Sequence, residues 1–161
     1  MFLNLWHKVI GPAFRRPPRF QVAAMCYRPS DCAGGFEVLL ITSRGTKRWV
    51  LPKGWPKAGL DSAGAALEEA WEEAGVVFTT GETAEIGSYR YDKRLDGGLP
   101  LDTVVFVYAA EVSKLRDDYP EAGQRDRRWV EPSEAARMVD EPGLRALLAR
   151  VPSLLPLPRT S

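Results

Sequence analysis

The chain has 161 residues, enough for one domain with a full-sized core. Hydrophobic residues make up 45% and charged residues 27%; 22 Lys and Arg stand against 21 Asp and Glu, a net charge of +1 that argues against a general nucleic-acid coat protein. The single histidine, His7, nearly excludes a Ser-His-Asp triad or a His-rich zinc site, so any chemistry falls to carboxylates and cations.

The chain opens on MFLNLWHK, a short apolar run with no charge before it and no cleavage-like site after it, which does not read as a signal peptide. No apolar stretch is long enough to span a bilayer, so no membrane partner is expected. Residues 1–18 form a basic lead-in broken by proline at FRRPP. The domain is expected over residues 19–151. QVAAMCYR and FEVLLITS read as strands, separated by the turn-rich PSDCAGG. Cys26 and Cys32 would close only a tiny loop, so reduced thiols and a cytoplasmic location are the reading. SRGTKRW is a basic loop, WVLP a short extended piece, and KGWPKAGLDS a Gly/Pro loop. A helix is expected over AGAALEEAWEEAG, capped by Asp61 or Ser62 and stopped at Gly75. VVFTT and EIGSYRYDKRL read as strands, with DGG as a hairpin turn into LDTVVFVYAAEV, the most strand-like segment. SKLRDDYPEAGQRDR reads as a polar loop and RRWVE as a short strand. PSEAARMV, begun by Pro132, and EPGLRALLARV read as helices. Residues 152–161 form an irregular, proline-rich tail. Strands interleaved with one mid-chain helix and two terminal ones predict an α/β fold, an α/β/α sandwich around a mixed β-sheet.

The mid-chain helix carries an unusual face. At about 100° per residue, Glu68, Glu69, Glu72 and Glu73 fall within an arc of roughly 140°, while Ala63, Leu67, Ala70, Trp71 and Ala74 share the opposite side. Glu68/Glu72 and Glu69/Glu73 are like-charge pairs four residues apart, each costing a few tenths of a kcal/mol, on the order of ~0.2–0.5, when exposed. No Lys or Arg lies between Ala58 and Arg90 to neutralise them. Such a run is ordinarily a solvated face. It is also an arrangement in which carboxylates share hard divalent cations, and two such cations can clamp a phosphoryl displacement. Helix geometry alone leaves both readings open.

The segment in front of the helix, RGTKRWVLPKGWPKAGLDSAGAALEEAWEEAGV, resembles the Nudix box: G, five residues, E, seven residues, then REUxEExGU with U aliphatic. With the last glycine on Gly75, the first falls on Gly54, the three helical glutamates on Glu69, Glu72 and Glu73, and the last U on Val76. VLLITSRG, RWVLPKGWP and RRWVEPSEA extend the likeness over most of the chain. The resemblance implies magnesium, or manganese, held by Glu69, Glu72, Glu73 and the main-chain oxygen of Lys53. It assigns Glu69 to the attacking water and makes the three glutamates the catalytic set. It also implies a carboxylate from a later loop; of Asp117, Asp118 and Glu121, Glu121 is chosen for its Pro/Gly neighbours. Leu60 and Glu68 depart from the box, where a glutamate and an arginine support the loop. Asp61 is a candidate substitute.

The activity so implied is hydrolysis of a phosphoanhydride bond in a small polyphosphorylated substrate. That substrate is a nucleoside diphosphate linked to another moiety, or a diphosphoinositol polyphosphate. ITSRGTKRW and LPKGWPK look similar to the diphosphoinositol polyphosphate phosphohydrolase branch. A dinucleoside polyphosphate or an RNA 5′ end is the alternative substrate, and a non-catalytic phosphate-ligand sensor the alternative of another class. Cations gather before strand one (Arg15, Arg16, Arg19), around the box (Arg44, Lys47, Arg48, Lys53, Lys57) and on the hairpin (Arg90, Lys93, Arg94). Arg19, Ser43, Arg44, Arg48, Lys53, Lys57 and Arg90 are the expected substrate contacts, since Arg forks and Lys charges suit phosphate oxygens. Trp49, Trp55, Tyr89 and Tyr91 suit either base stacking or packing, with packing preferred.

Overall fold

A computed structural model of the chain describes residues 19–94 and 98–155. The basic lead-in of 1–18, most of the DGG turn and the last part of the expected tail lie outside the described residues. β1 (Arg19–Pro29), β2 (Phe36–Thr42), β3 (Trp49–Val50) and β4 (Lys53–Gly54) lead into helix α1 (Ser62–Ala74). β5 (Val76–Phe78), β6 (Ala84–Arg94), β7 (Pro100–Leu115) and β8 (Arg127–Val130) follow, then α2 (Pro132–Met138) and α3 (Pro142–Leu154).

The sheet runs β3-β2-β1-β7-β5, with β4 on β1, β6 on β7 and β8 on β2. β1 and β7 pair in parallel from Arg19↔Thr103 to Tyr27↔Glu111, while β1 pairs antiparallel with β2 and β4. The sheet is therefore mixed. Its central strand is buried without a break from Gln21 to Cys26, as expected where both faces are covered. Strand alternation divides the core accordingly. Ala23, Met25, Val38, Leu40, Val105 and Val107 pack with Leu144, Leu147, Leu148 and Val151 of α3. Val22, Ala24, Cys26, Leu39 and Ile41 pack on the other face with Ala65, Ala66, Ala70 and Ala74 of α1. These are the layers of the α/β/α sandwich. Small alanines let α1 lie close to the sheet; Glu69 and Glu73 are buried with them, while Ala63, Leu67 and Trp71, expected on the packed side, are only half-buried.

α1 begins at Asp61, whose carboxylate accepts from Gly64 N at 2.7 Å. It ends at Gly75, with φ 67° and its N–H on Ala70 O and Trp71 O. A Cβ at Gly75 would stand 2.5 Å from Tyr119 Cδ1 and 2.6 Å from Arg116 O, so the stop also seats the loop that follows β7.

Three elements differ from the sequence reading. α3 runs on through Leu154, with Pro152 inside it, where an irregular tail was expected from residue 152. Lys53 and Gly54, expected in a loop, form a short strand through Val22↔Gly54 and Ala23↔Lys53. β7 runs on through Leu115, into the expected polar loop, because Val76↔Leu115 and Val77↔Lys114 pair its end with β5. Ladder hydrogen bonds outweigh the polar composition there. Among the described residues no helix is long and apolar enough to cross a membrane.

Candidate active site

The carboxylate face of α1 borders a cleft of about 920 Å³. β4 and the loop after it bring Lys53, Gly54, Trp55 and Lys57 to one wall, and the loop after β2 brings Ser43, Arg44, Thr46 and Arg48 to another. Glu69 and Glu73 line it from α1, and Glu121 and Arg125 from the loop after β7. That loop is held by Glu121 N donating to Glu72 O at 3.0 Å, and by Arg127, which donates to Ala74 O at 3.0 Å and Arg116 O at 2.7 Å.

Two cations engage the acids. Lys57 Nζ lies 3.0 Å from both Glu69 Oε1 and Glu72 Oε1, and 3.8 Å from Glu68 Oε1. Burial pulls the Lys57 pKa down, but the bonds to Glu72 and Glu69 more than offset this and leave it raised. Arg125 Nη2 lies 3.6 Å from Glu73 Oε1 and 3.5 Å from Glu121 Oε1, while Nη1 donates to Thr42 O at 3.1 Å. Burial raises the Glu73 pKa from 4.5 to about 7, opposed by Arg125 and reinforced by the negative charge of Glu69. Lys53 is lowered to about 8 by burial, partly offset by Glu141 and Glu73. Lys53 N donates to Glu73 Oε2 at 3.4 Å. At Gly54 an added Cβ would overlap the Glu69 carboxyl group, so only glycine leaves that carboxylate its place.

Among the described residues no three His, Cys, Asp or Glu side chains are arranged to enclose an ion. The Lys57 ammonium sits where Glu69 and Glu72 meet. The donor set nevertheless fits a hard divalent ion: carboxylate oxygens from two elements converge, they already hold a cation, and Glu121 Oε1 is buried without a hydrogen-bond partner.

The expected substrate contacts divide. Ser43, Arg44, Arg48, Lys53 and Lys57 line the cleft; Arg19 and Arg90 are not among its lining residues. Alternation is the reason for Arg90: it is exposed between Tyr89 and Tyr91 on β6, and the strand turns it to the face opposite Tyr91. Arg19 is exposed at the start of β1, opposite Thr103. Glu72 is not a lining residue but reaches the site through Lys57. Asp61 is engaged as the helix cap, one of the two caps expected. The absence of Lys or Arg from 59–89 proved a poor guide to neutralisation, because Lys57 folds back over the helix. Trp49 packs against the core, Tyr89 is 4% exposed, and Trp55 carries the Lys93 ammonium 4.6 Å from its ring centre. Sequence reading passed over Arg125, Gln21 and Glu141, all in the cleft. Only the RDR that leads into β8 at Arg127 hinted at the first; no local pattern marked the others.

A mixed sheet between helices, with a glutamate helix facing a cleft lined by cations, defines the class of protein as an α/β sandwich domain with a charged cleft. The chain belongs to the NUDIX domain family, whose pattern matches residues 19–151. It is 35% identical over 100 residues to Nudix hydrolase 4 of Arabidopsis thaliana, covering 62% of this chain and 45% of that protein. It is 27% identical over 122 residues to human diphosphoinositol polyphosphate phosphohydrolase 3-beta, covering 74% of this chain and 68% of that protein. The chain thus spans less than half the length of the first of these relatives. In fold it is similar to the NUDIX domain of Shewanella oneidensis NrtR, solved with ADP ribose. The TM-score is 0.63 at 18% identity, over 94% of this chain and 98% of that one. Divalent metal ions are the cofactors of Nudix hydrolases.

Proposed function

We propose that this chain hydrolyses a phosphoanhydride bond in a small polyphosphorylated substrate, with magnesium or manganese as cofactor. The observation that carries the reading is the joining of Glu69, Glu73 and Glu121 with six Lys and Arg side chains in one cleft. Glu69, Glu72, Glu73, Glu121 and the main-chain oxygen of Lys53 are the residues that would hold the metal. A bound divalent ion supplies Lewis acidity and a lowered pKa for bound water. Glu69, packed against Gly54, orients the attacking water and takes its proton. Arg44, Arg48, Lys53 and Arg125 neutralise charge on the phosphates as the bond to the leaving phosphate opens. Neither a Ser nor a Cys is paired with a histidine in the cleft lining, so attack by water rather than by a protein nucleophile is the reading. Diphosphate-linked nucleosides and diphosphoinositol polyphosphates are the favoured substrates, with dinucleoside polyphosphates and RNA 5′ ends next. The two free cysteines support a reducing, cytoplasmic setting.

The test is a panel of inositol pyrophosphates, dinucleoside polyphosphates, ADP-ribose and 5′-triphosphate RNA, assayed with magnesium or manganese in ¹⁸O water. One label is expected in a product phosphate. A Glu72→Gln, Glu73→Gln double variant is expected to lose metal affinity and turnover by on the order of ~100-fold. Unchanged metal affinity, or a stable phosphoenzyme, overturns the assignment. A second reading, a phosphate-ligand sensor, draws on Lys57, which already neutralises Glu69 and Glu72 at 3.0 Å, and on the departures at Leu60 and Glu68. Tight binding with no turnover across the panel selects it.

A further inference from the structure

Glu141 is the N-cap residue of α3, yet its side chain makes no capping bond. It lines the cleft instead, with a side chain only 9% exposed. Its Oε2 is buried without a hydrogen-bond partner, and among the described residues its ion-pair contact is Arg48, at 3.9 Å from Oε1. A buried carboxylate oxygen without a donor is costly, and such an atom calls for a partner. The terminal torsion of a glutamate is soft, so a small rotation presents either oxygen to the cleft.

The surroundings limit what that partner is. Tyr91 donates its hydroxyl hydrogen to Gln21 Oε1 at 2.5 Å, so the Tyr91 oxygen is left as an acceptor. Burial, and then the neighbouring Glu141 charge, push Tyr91 up to about 12, so it stays a neutral phenol. Lys53 lies 5.5 Å from the Tyr91 ring centre, and Lys93 covers Trp55. This side of the cleft therefore offers ammonium groups for phosphate beside two acceptors. A phosphate at Glu141 would bring like charge and no donor. A hydroxyl brings a donor and no charge, and a vicinal pair can satisfy both carboxylate oxygens.

We propose that Glu141 is a specificity-determining residue that accepts hydrogen bonds from a free hydroxyl pair of the substrate. The preferred substrates are then diphosphates bearing an unphosphorylated sugar, not a ring phosphorylated at every position. This deepens the hydrolase reading above and rests on it only for the word substrate; the site is defined by binding.

Equilibrium binding in EDTA, where turnover is arrested, tests it on the whole chain. The probes are ADP-ribose, its analogues lacking the 2′,3′-hydroxyls of either ribose, and a diphosphoinositol carrying phosphate at all six ring positions. For the wild type, removal of one of the two hydroxyl pairs is expected to weaken binding by on the order of ~10–100-fold. In Glu141→Met, which keeps the length and removes both acceptors, that discrimination falls to about onefold, and the fully phosphorylated ring binds more tightly than to the wild type. Equal binding of ADP-ribose and both analogues by the wild type, no binding of any of them, or discrimination retained in Glu141→Met overturns the proposal. The wild-type comparison stands by itself if the variant misfolds. Hydroxyl-dependent binding without metal-dependent turnover sinks the hydrolase reading and leaves this one. Turnover indifferent to the hydroxyls does the reverse.

Discussion

Lys57 meets three carboxylates of α1 with one ammonium group, at 3.0 Å from Glu69 and Glu72 and 3.8 Å from Glu68. Its side chain is 27% exposed, so each pair is screened and contributes at most about 1 kcal/mol. Its larger effect is competitive: it stands in the space between two proposed metal ligands. Lys57→Gln should therefore tighten magnesium binding by roughly threefold to tenfold while lowering the stability of the metal-free protein. Titration calorimetry and thermal melts in EDTA measure the two effects. Weaker magnesium binding in Lys57→Gln would show that Lys57 helps to build the metal site. The residue also shows the limit of reading neutralising charge by sequence spacing. Lys57 lies just outside the uncharged stretch, and the loop geometry alone folds it over the helix.

α1 with its preceding loop is the element in which the box departures must be judged. Leu60 is 44% exposed and so has lost no buried contact, while Glu68, where the family has arginine, faces Lys57. The loop thus supplies a cation beside this position. Glu68→Arg alone sets two cations against each other, and Leu60→Glu alone adds a negative charge near an acidic face. With both changes the new charges meet. A double-mutant cycle on turnover and on urea stability is expected to give a coupling of about 0.5–3 kcal/mol, with the double variant better than the singles predict. Additive effects would show that Lys57 already supplies all the support the loop needs. The glycines at the two ends of this unit allow little change. Gly54 leaves room for the Glu69 carboxylate, and Gly75 takes φ 67° against Tyr119 and the Arg116 carbonyl.

Across the molecule, the cleft gathers acids from distant segments, and one of them, Glu73, is held away from its ordinary behaviour by burial. Glu73 is raised from 4.5 to about 7, so the folded protein keeps a proton there that the unfolded chain releases. Its contribution to stability is fully present below pH 4.5 and is lost as pH rises through about 7. In EDTA the wild type should therefore lose stability across that window relative to Glu73→Gln, by up to about 1.4 kcal/mol per pH unit. Magnesium, which needs the deprotonated carboxylate, should bind more tightly over the same rise and reverse the trend. Urea midpoints at a series of pH values decide it, and parallel curves for the two proteins would place the Glu73 proton elsewhere.

The sequence by itself determined the layers and the helix. The strand-like runs of β1 and β7, the apolar run of β2, Asp61 and Gly75 as helix ends, and four glutamates on one arc are local patterns in the chain. They sufficed for the layered α/β architecture, while the resemblance to the Nudix box, not periodicity, singled out Glu69 and Glu73 as site residues. Tertiary structure decided what those patterns do not encode. It set which face of β6 meets the cleft, that of Tyr91 and not that of Arg90, and it extended β7 because β5 supplied ladder partners. It brought Arg125 to Glu73 and left Glu141 in the cleft with an unpartnered oxygen. These contacts join chain segments far apart in sequence, so no spacing announces them. Their energies depend on burial and on the direction of each side chain, which exist only once the sheet and its helices have packed.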